Sequence, residues 1–258
     1  MRDEEEIRNV WKYNLEEEIE RLAESIEEYP YVSMDTEFPG VIVKPSGVFT
    51  TPAIYTYQQI RSNVGLLNLI QLGVSLSNEK GERPKPSTWQ FNFYFDREKN
   101  MSAQESMHVL EQAEIDFEKL GRDGIHIDTF AEEITTSGLL MNKKIVWVSF
   151  HSSYDFGYLI SAIRGTDLPH SVEEFTGILT KVFPCFYDIK YLINLLGMKG
   201  GLQDLADELK IQRIGTQHQA GSDSLLTLDV FRALREKLLA DVETNAKYRC
   251  KLFGIEGQ

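Results

Sequence analysis

Ser33-Met34-Asp35-Thr36-Glu37-Phe38-Pro39-Gly40, continuing from Tyr31-Val32, is the stretch on which the reading of this chain turns. Asp35 and Glu37 stand at i and i+2 of an extended segment that Pro39-Gly40 ends, so both acids point to one face, roughly 6–7 Å apart. Side-by-side carboxylates repel unless something positive sits between them. A hard divalent cation answers that need, because Mg²⁺ takes oxygen ligands in octahedral geometry and keeps some of its waters.

Outward from this strand the pattern alternates between helix and strand. Ile7, Val10, Trp11, Leu15, Ile19, Leu22 and Ile26 recur at spacings of three and four, which predicts an amphipathic helix over 4–28 with Glu16-Glu17-Glu18 on its solvated face, stopped by Pro30. A second helix is expected over 52–63. Leu66, Ile70, Leu72, Val74 and Leu76 share one face of a predicted strand. Trp89, Phe91, Phe93 and Phe95 alternate with Gln90, Asn92 and Tyr94 on another, the turn-rich Ser77–Ser87 joining the two as a long-looped antiparallel hairpin. That aromatic stripe reads as core, with its polar alternate face toward solvent, in preference to a base-stacking platform. Residues 102–141 read as mostly helical, and Ile145–Phe150 as a short buried strand. Helices follow around 155–164, 171–182 and 188–210, with a last one from Asp223 to about Ala240. Antiparallel strands first and α/β alternation afterwards suit one mixed sheet flanked by helices. The expectation is a single domain over 1–258 with the 4–28 helix packed on it.

The bulk numbers restrict function without naming it. The 258 residues are 42% hydrophobic and 26% charged, ordinary for a soluble globular protein. A net charge of −13 is not that of a protein gripping duplex nucleic acid by its backbone. It leaves a nucleic-acid substrate open, because bound metals reverse the sign inside a cleft. Cys185 and Cys250 are the two cysteines and form no CxxC pair, so no disulfide framework or thiolate zinc site is implied. Met1–Glu6 is acidic with no apolar signal core, and no apolar run nears the roughly 18 residues that span a bilayer. We expect a cytoplasmic protein with no membrane association.

Two more acids join the pair. Asp155, in His151-Ser152-Ser153-Tyr154-Asp155, lies just beyond the predicted strand 145–150, where open α/β sheets place their ligands. Asp223 closes His218-Gln219-Ala220-Gly221-Ser222-Asp223. Taken alone, Asp155 reads better as a first-turn acid complementing a helix dipole behind a serine cap, and the Asp223 segment alone decides nothing between the two readings. His218 lies in a Gly- and Gln-rich loop, off any apolar face, and imidazole titrates near neutrality, as a general base should. Together, four carboxylates are neutralised by two Mg²⁺. Two such metals stabilise both the attacking and the leaving oxygen of an in-line displacement at phosphorus, with histidine activating the water.

Asp-x-Glu on an N-terminal strand, a middle Asp and His-x₄-Asp near the end resemble the DEDD superfamily of 3′-5′ exonucleases, histidine subclass, related to RNase D. The surrounding words are more specific. Ser33–Gly40, Ile70-Gln71-Leu72-Gly73, Thr88–Phe93, Ser149–Tyr158, Tyr187–Leu192, Gly201-Leu202-Gln203 and His218–Ser224 all resemble the DEDD-type deadenylase subunit of the CCR–NOT complex, over about residues 7–240. The resemblance implies an RNase H-like α/β fold, shortening of mRNA poly(A) tails and release of 5′-AMP. By position it implies Asp35, Glu37, Asp155 and Asp223 as metal ligands and His218 as base. The implied cofactors are two divalent cations, Mg²⁺ first and Mn²⁺ as an alternative. The implied partners are single-stranded RNA with a poly(A) 3′ end, and a platform protein and second deadenylase of the complex. The implied locations are cytoplasm and nucleus.

The pattern gives Asp188 a structural role. Asp204, Asp207 and Glu208 read as the polar face of a helix, and His108, His126 and His170 have no partner at ligand spacing. Two other functions compete with the deadenylase reading. One is a DEDD exonuclease acting on other RNA or on DNA. The other is a scaffold bridging a partner nuclease and a platform protein.

Overall fold

The site is set by one mixed sheet whose central strand outruns its neighbour. The structure, a computed structural model, describes residues 6–237, 240–242 and 246–255. Among these are β1 (Ile7–Val10), β2 (Tyr31–Glu37), β3 (Gln71–Ser77), β4 (Thr88–Asn92), β5 (Val146–Ser149) and β6 (Phe186–Asp188), in the order β1-β4-β3-β2-β5-β6. β2 runs antiparallel to β3 along its whole length, with Asp35 opposite Gly73 and Glu37 opposite Gln71. It pairs in parallel with β5 only over Tyr31–Ser33. The half of β2 that carries the acids therefore projects past β5 at the carboxyl end of the sheet. This is the RNase H-like arrangement.

The helices are α1 (Leu15–Ser25), α2 (Pro52–Val64), α3 (Gln104–Gln112), α4 (Phe117–Asp123), α5 (Ile127–Thr136), α6 (Ser153–Arg164), α7 (Val172–Val182), α8 (Ile189–Leu195), α9 (Leu202–Leu209) and α10 (Ala220–Lys237). The strand period of two sorts the core. Val32, Met34, Leu72, Val74 and Trp147 pack with α1, α2, α5, α6 and α7. Tyr31, Val148 and Tyr187 pack with α8, α9 and α10 on the other face. Asp35 and Glu37 have the parity of Tyr31, so they face α10.

Some expectations need correction. The 4–28 helix is a strand followed by a helix: Ile7–Val10 pairs with Thr88–Phe91, covering the open edge of β4, and helix begins only at Leu15. Spacings of three to four among the first apolar residues do not distinguish the two, and residues 4–5 lie outside the described ones. Leu66 is half exposed beyond the C-cap of α2, and the strand it was assigned to starts at Gln71. The aromatic stripe is core as expected, but Gln90 and Asn92 are buried, because α10 covers their face. The 188–210 helix is broken where Gly197 and Gly200 take φ of 72° and 116°. The last helix starts three residues before Asp223 and is described to Lys237, with 238–239 outside the described residues.

Candidate active site

α10 comes close to the sheet because the residues between them are small. A Cβ on Gly73 would lie 1.9 Å from the carbonyl oxygen of Ala220. Ser33 Oγ donates to the Ser224 carbonyl at 2.7 Å, and the Ser75 hydroxyl meets those of Ser224 and Thr88, each at 2.8 Å. With its first turn held there, α10 brings Asp223 over Asp35 and Glu37. Asp155 comes round the end of the sheet from α6. Its Oδ1 accepts from the backbone N–H of Thr36 at 2.8 Å and from Thr36 Oγ1 at 2.7 Å. The residue between the two acids of β2 thus fixes the third. Asp155 stands in the first turn of its own helix, and its carboxylate is tied to β2 as well.

Electrostatics report the convergence. Burial, then the charges of Asp223, Asp155 and Glu37, push Asp35 well above the ordinary carboxylate range. Burial, then Asp223 and Asp155, do the same to Glu37. Burial raises Asp155 to about 6 against the hydrogen bonds from Thr36. Asp155 and Asp223 are each only 7% exposed. Glu37, His218 and Asp223 offer ligand atoms within 4.8 Å of one another. His218 is exposed, takes a left-handed backbone with φ 63°, and donates its N–H to Asp223 Oδ2 at 3.0 Å. All five residues singled out in the sequence meet at one place. A cavity of about 320 Å³ opens beside them, lined by Asp35, Phe150, Gln203, Arg213, His218 and Asp223 among others.

A family model described as CAF1 family ribonuclease matches residues 10–137 and 135–231. The chain belongs to the CAF1 ribonuclease family. Poly(A) ribonuclease pop2 of Schizosaccharomyces pombe is 46% identical over 251 residues, covering 96% of this chain and 75% of that protein. The solved structure of S. pombe Pop2p with Mg²⁺ and Mn²⁺ bound matches at TM-score 0.94 and 46% identity, covering 96% of this chain and 99% of that one. CCR4-NOT transcription complex subunit 7 of Caenorhabditis elegans is 44% identical over 241 residues, 91% of this chain and 78% of that protein. A chain in the structure of the yeast NOT1 MIF4G domain co-crystallized with CAF1 matches at TM-score 0.79 and 34% identity, over 96% of each chain.

Sequence reasoning missed one part of this CAF1-family site, Arg213, and gave no contacts for another, Asp188. Arg213 donates to Asp223 Oδ1, to Ser222 Oγ at 3.0 Å and, through Nε, to Gln203 Oε1 at 2.8 Å. Its charge opposes the upward shift of Asp35 and Glu37. Nothing in the local pattern of Lys210–Gly215 marks it, because its partners come from α9 and α10. Asp188 was read as structural, and its contacts show in what way. It is fully buried and accepts from the backbone N–H groups of His151, Lys190 and Phe253 at 2.8, 2.9 and 3.0 Å, which ties the entry of α6 to β6.

Proposed function

We propose that this chain is a poly(A)-specific 3′-5′ exoribonuclease that shortens mRNA poly(A) tails from a free 3′-hydroxyl and releases 5′-AMP. The observation that carries this reading is the meeting of Asp35, Glu37, Asp155 and Asp223 with His218 at the end of β2, in a chain of this family. The donor set fits hard divalent cations. Four mutually repelling carboxylates, two of them raised far above their ordinary range, require more positive charge than Arg213 brings. Asp35, Glu37, Asp155 and Asp223 would hold two ions, Mg²⁺ or Mn²⁺, the metals of the S. pombe Pop2p structure. Bound there, they supply charge stabilisation for an in-line displacement at phosphorus.

The chain's own groups do the rest. Thr36 locks Asp155 through Oδ1, close enough to Asp35 and Glu37 for its charge to raise both. His218 takes a proton from the attacking water as the water oxygen bonds to phosphorus. The bond from phosphorus to the 3′-oxygen of the preceding nucleotide breaks, and that oxygen takes a proton from solvent water. The freed nucleotide is 5′-AMP, and the shortened chain again ends in a 3′-hydroxyl.

Labelled RNA with a poly(A) 3′ end tests the reading. We expect a ladder of single-nucleotide steps with Mg²⁺, abolished by EDTA, and little action on DNA or on a 3′-phosphorylated end. Equal rates on DNA and poly(A), or cleavage of a circular RNA, would rule it out. A platform protein is proposed as a partner on the likeness to the NOT1-bound yeast chain and the C. elegans subunit, and a second deadenylase on the resemblance of the sequence words to the CCR–NOT subunit alone. A bridging role adds to catalysis without replacing it. Asp35→Ala should still bind a NOT1 MIF4G domain in a pull-down while losing hydrolysis.

A further inference from the structure

Immediately behind the His218 loop, on the α10 face of the sheet, lies a net of amide side chains with Gln219 at its hub. Gln219 Oε1 accepts from Gln71 Nε2 at 3.3 Å and from Gln90 Nε2 at 2.9 Å. Its Nε2 donates to the Ala113 carbonyl, between α3 and α4, at 2.8 Å. Gln71 also donates to Asn92 Oδ1 at 2.9 Å, and Gln90 to Asn9 Oδ1 at 3.0 Å, an acceptor that Asn92 shares at 3.2 Å. The same two glutamines receive the start of the helix. The N–H of Ala220 donates to Gln71 Oε1 at 3.2 Å and that of Gly221 to Gln90 Oε1 at 2.9 Å. These are two of the amides that a helix N-terminus leaves without an internal partner.

Gln71, Gln90 and Asn92 are buried to 5% exposure or less. Buried amides cost stability unless their bonds are made, and one lost partner orphans the rest, so apolar residues would fill these strand positions at less risk. What the net gains is rigidity at one place. Gln219 follows His218 directly, and its carbonyl accepts from the N–H of Asp223 at 3.0 Å. A non-glycine residue with a left-handed backbone, such as His218, persists only where its surroundings over-determine it. Gln219 is held by side chain and main chain, and Asp223 holds the N–H of His218 from the other end.

We propose that Gln219, with Gln71, Gln90, Asn92 and Asn9, is a positioning net that fixes His218 for proton transfer from the attacking water. This rests on His218 being the general base. The five amides act through His218 and are positioning residues.

Gln219→Met has nearly the volume of the native side chain and makes none of its three hydrogen bonds. On poly(A) RNA with Mg²⁺ we expect kcat to fall roughly 10–100-fold with KM within about threefold, the scale of a misplaced catalytic group. Mn²⁺ binding, read by electron paramagnetic resonance, should stay within about threefold. The deciding measurement is the double variant. In a His218→Ala background, Gln219→Met should alter the residual rate by less than about threefold, because its effect passes through the imidazole. Asn9→Ala, at the exposed margin of the net, should show the same pattern with a smaller loss and carries the test if Gln219→Met does not fold. An equal loss in both backgrounds, or an unchanged kcat in both variants, overturns the proposal. A His218→Ala protein as fast as wild type would instead remove the base assignment itself.

Discussion

At Asp35 and Glu37 the fold holds two carboxylates against two more, and burial and then mutual repulsion lift both, with Arg213 pulling the other way. A site of this kind trades stability for chemistry, so removing one acid should harm function and spare the fold. Asp35→Ala is expected to abolish hydrolysis and, in EDTA, to melt no lower than wild type by differential scanning calorimetry. Melting several degrees lower would mean that Asp35 is structural. His218 needs a sharper experiment, because its ring lies at ligand distance from Glu37 and Asp223. As a base it contributes to rate alone, so His218→Ala should cost roughly 10²–10⁴ in turnover. Mn²⁺ affinity, titrated on the same protein, should change by less than about threefold. A fall in affinity as large as the fall in rate would make His218 a ligand.

Among the elements, α10 decides whether the site exists, and it lies almost backbone to backbone on β3. Gly73→Ala places a methyl 1.9 Å from the Ala220 carbonyl oxygen, and this neighbour is main chain that cannot rotate away. The helix start must lift, at about 1–3 kcal/mol if the strain resembles other overpacked cores. Asp223 and His218 move with it, so Gly73→Ala should lose most of its activity while urea unfolding shows only that moderate loss; full activity would mean the contact is slack. How far the sequence disclosed this follows from the range of each interaction. Asp35 and Glu37 were legible because a strand's period alone puts them on one face, and Asp155 and His218–Asp223 because their words are specific to a family. Residues 7–10 were read as helix because their partner, β4, lies some eighty positions away. Gln90 and Asn92 were assigned to solvent because alternation separates two faces without saying that α10 covers one of them. Arg213 gave no signal, since its partners Gln203 and Asp223 stand ten residues off on either side.

For the whole molecule, a net charge of −13 and a raised acidic cluster make stability depend on pH in a direction set by the metals. Asp35, Glu37 and Asp155 all bind protons more tightly in the folded than in the unfolded chain. Without metal, their contribution is fully present below the unfolded carboxylate range near pH 4. It is lost as pH rises through the folded values, about 6 for Asp155, because the native state must then ionise buried groups. For Asp155 alone the shift corresponds to roughly 3 kcal/mol. Metal-free protein should therefore melt at lower temperature at pH 7.5 than at pH 5.5, and Asp155→Asn should flatten that slope. Mg²⁺ reverses the order, since ions bind only the deprotonated cluster and their stabilisation grows with pH. Self-repulsion of the whole acidic chain acts in the same direction as the cluster, so the variant rather than the slope is decisive. If Asp155→Asn and wild type lose the same number of degrees between the two pH values in EDTA, the cluster is not the source of the pH dependence.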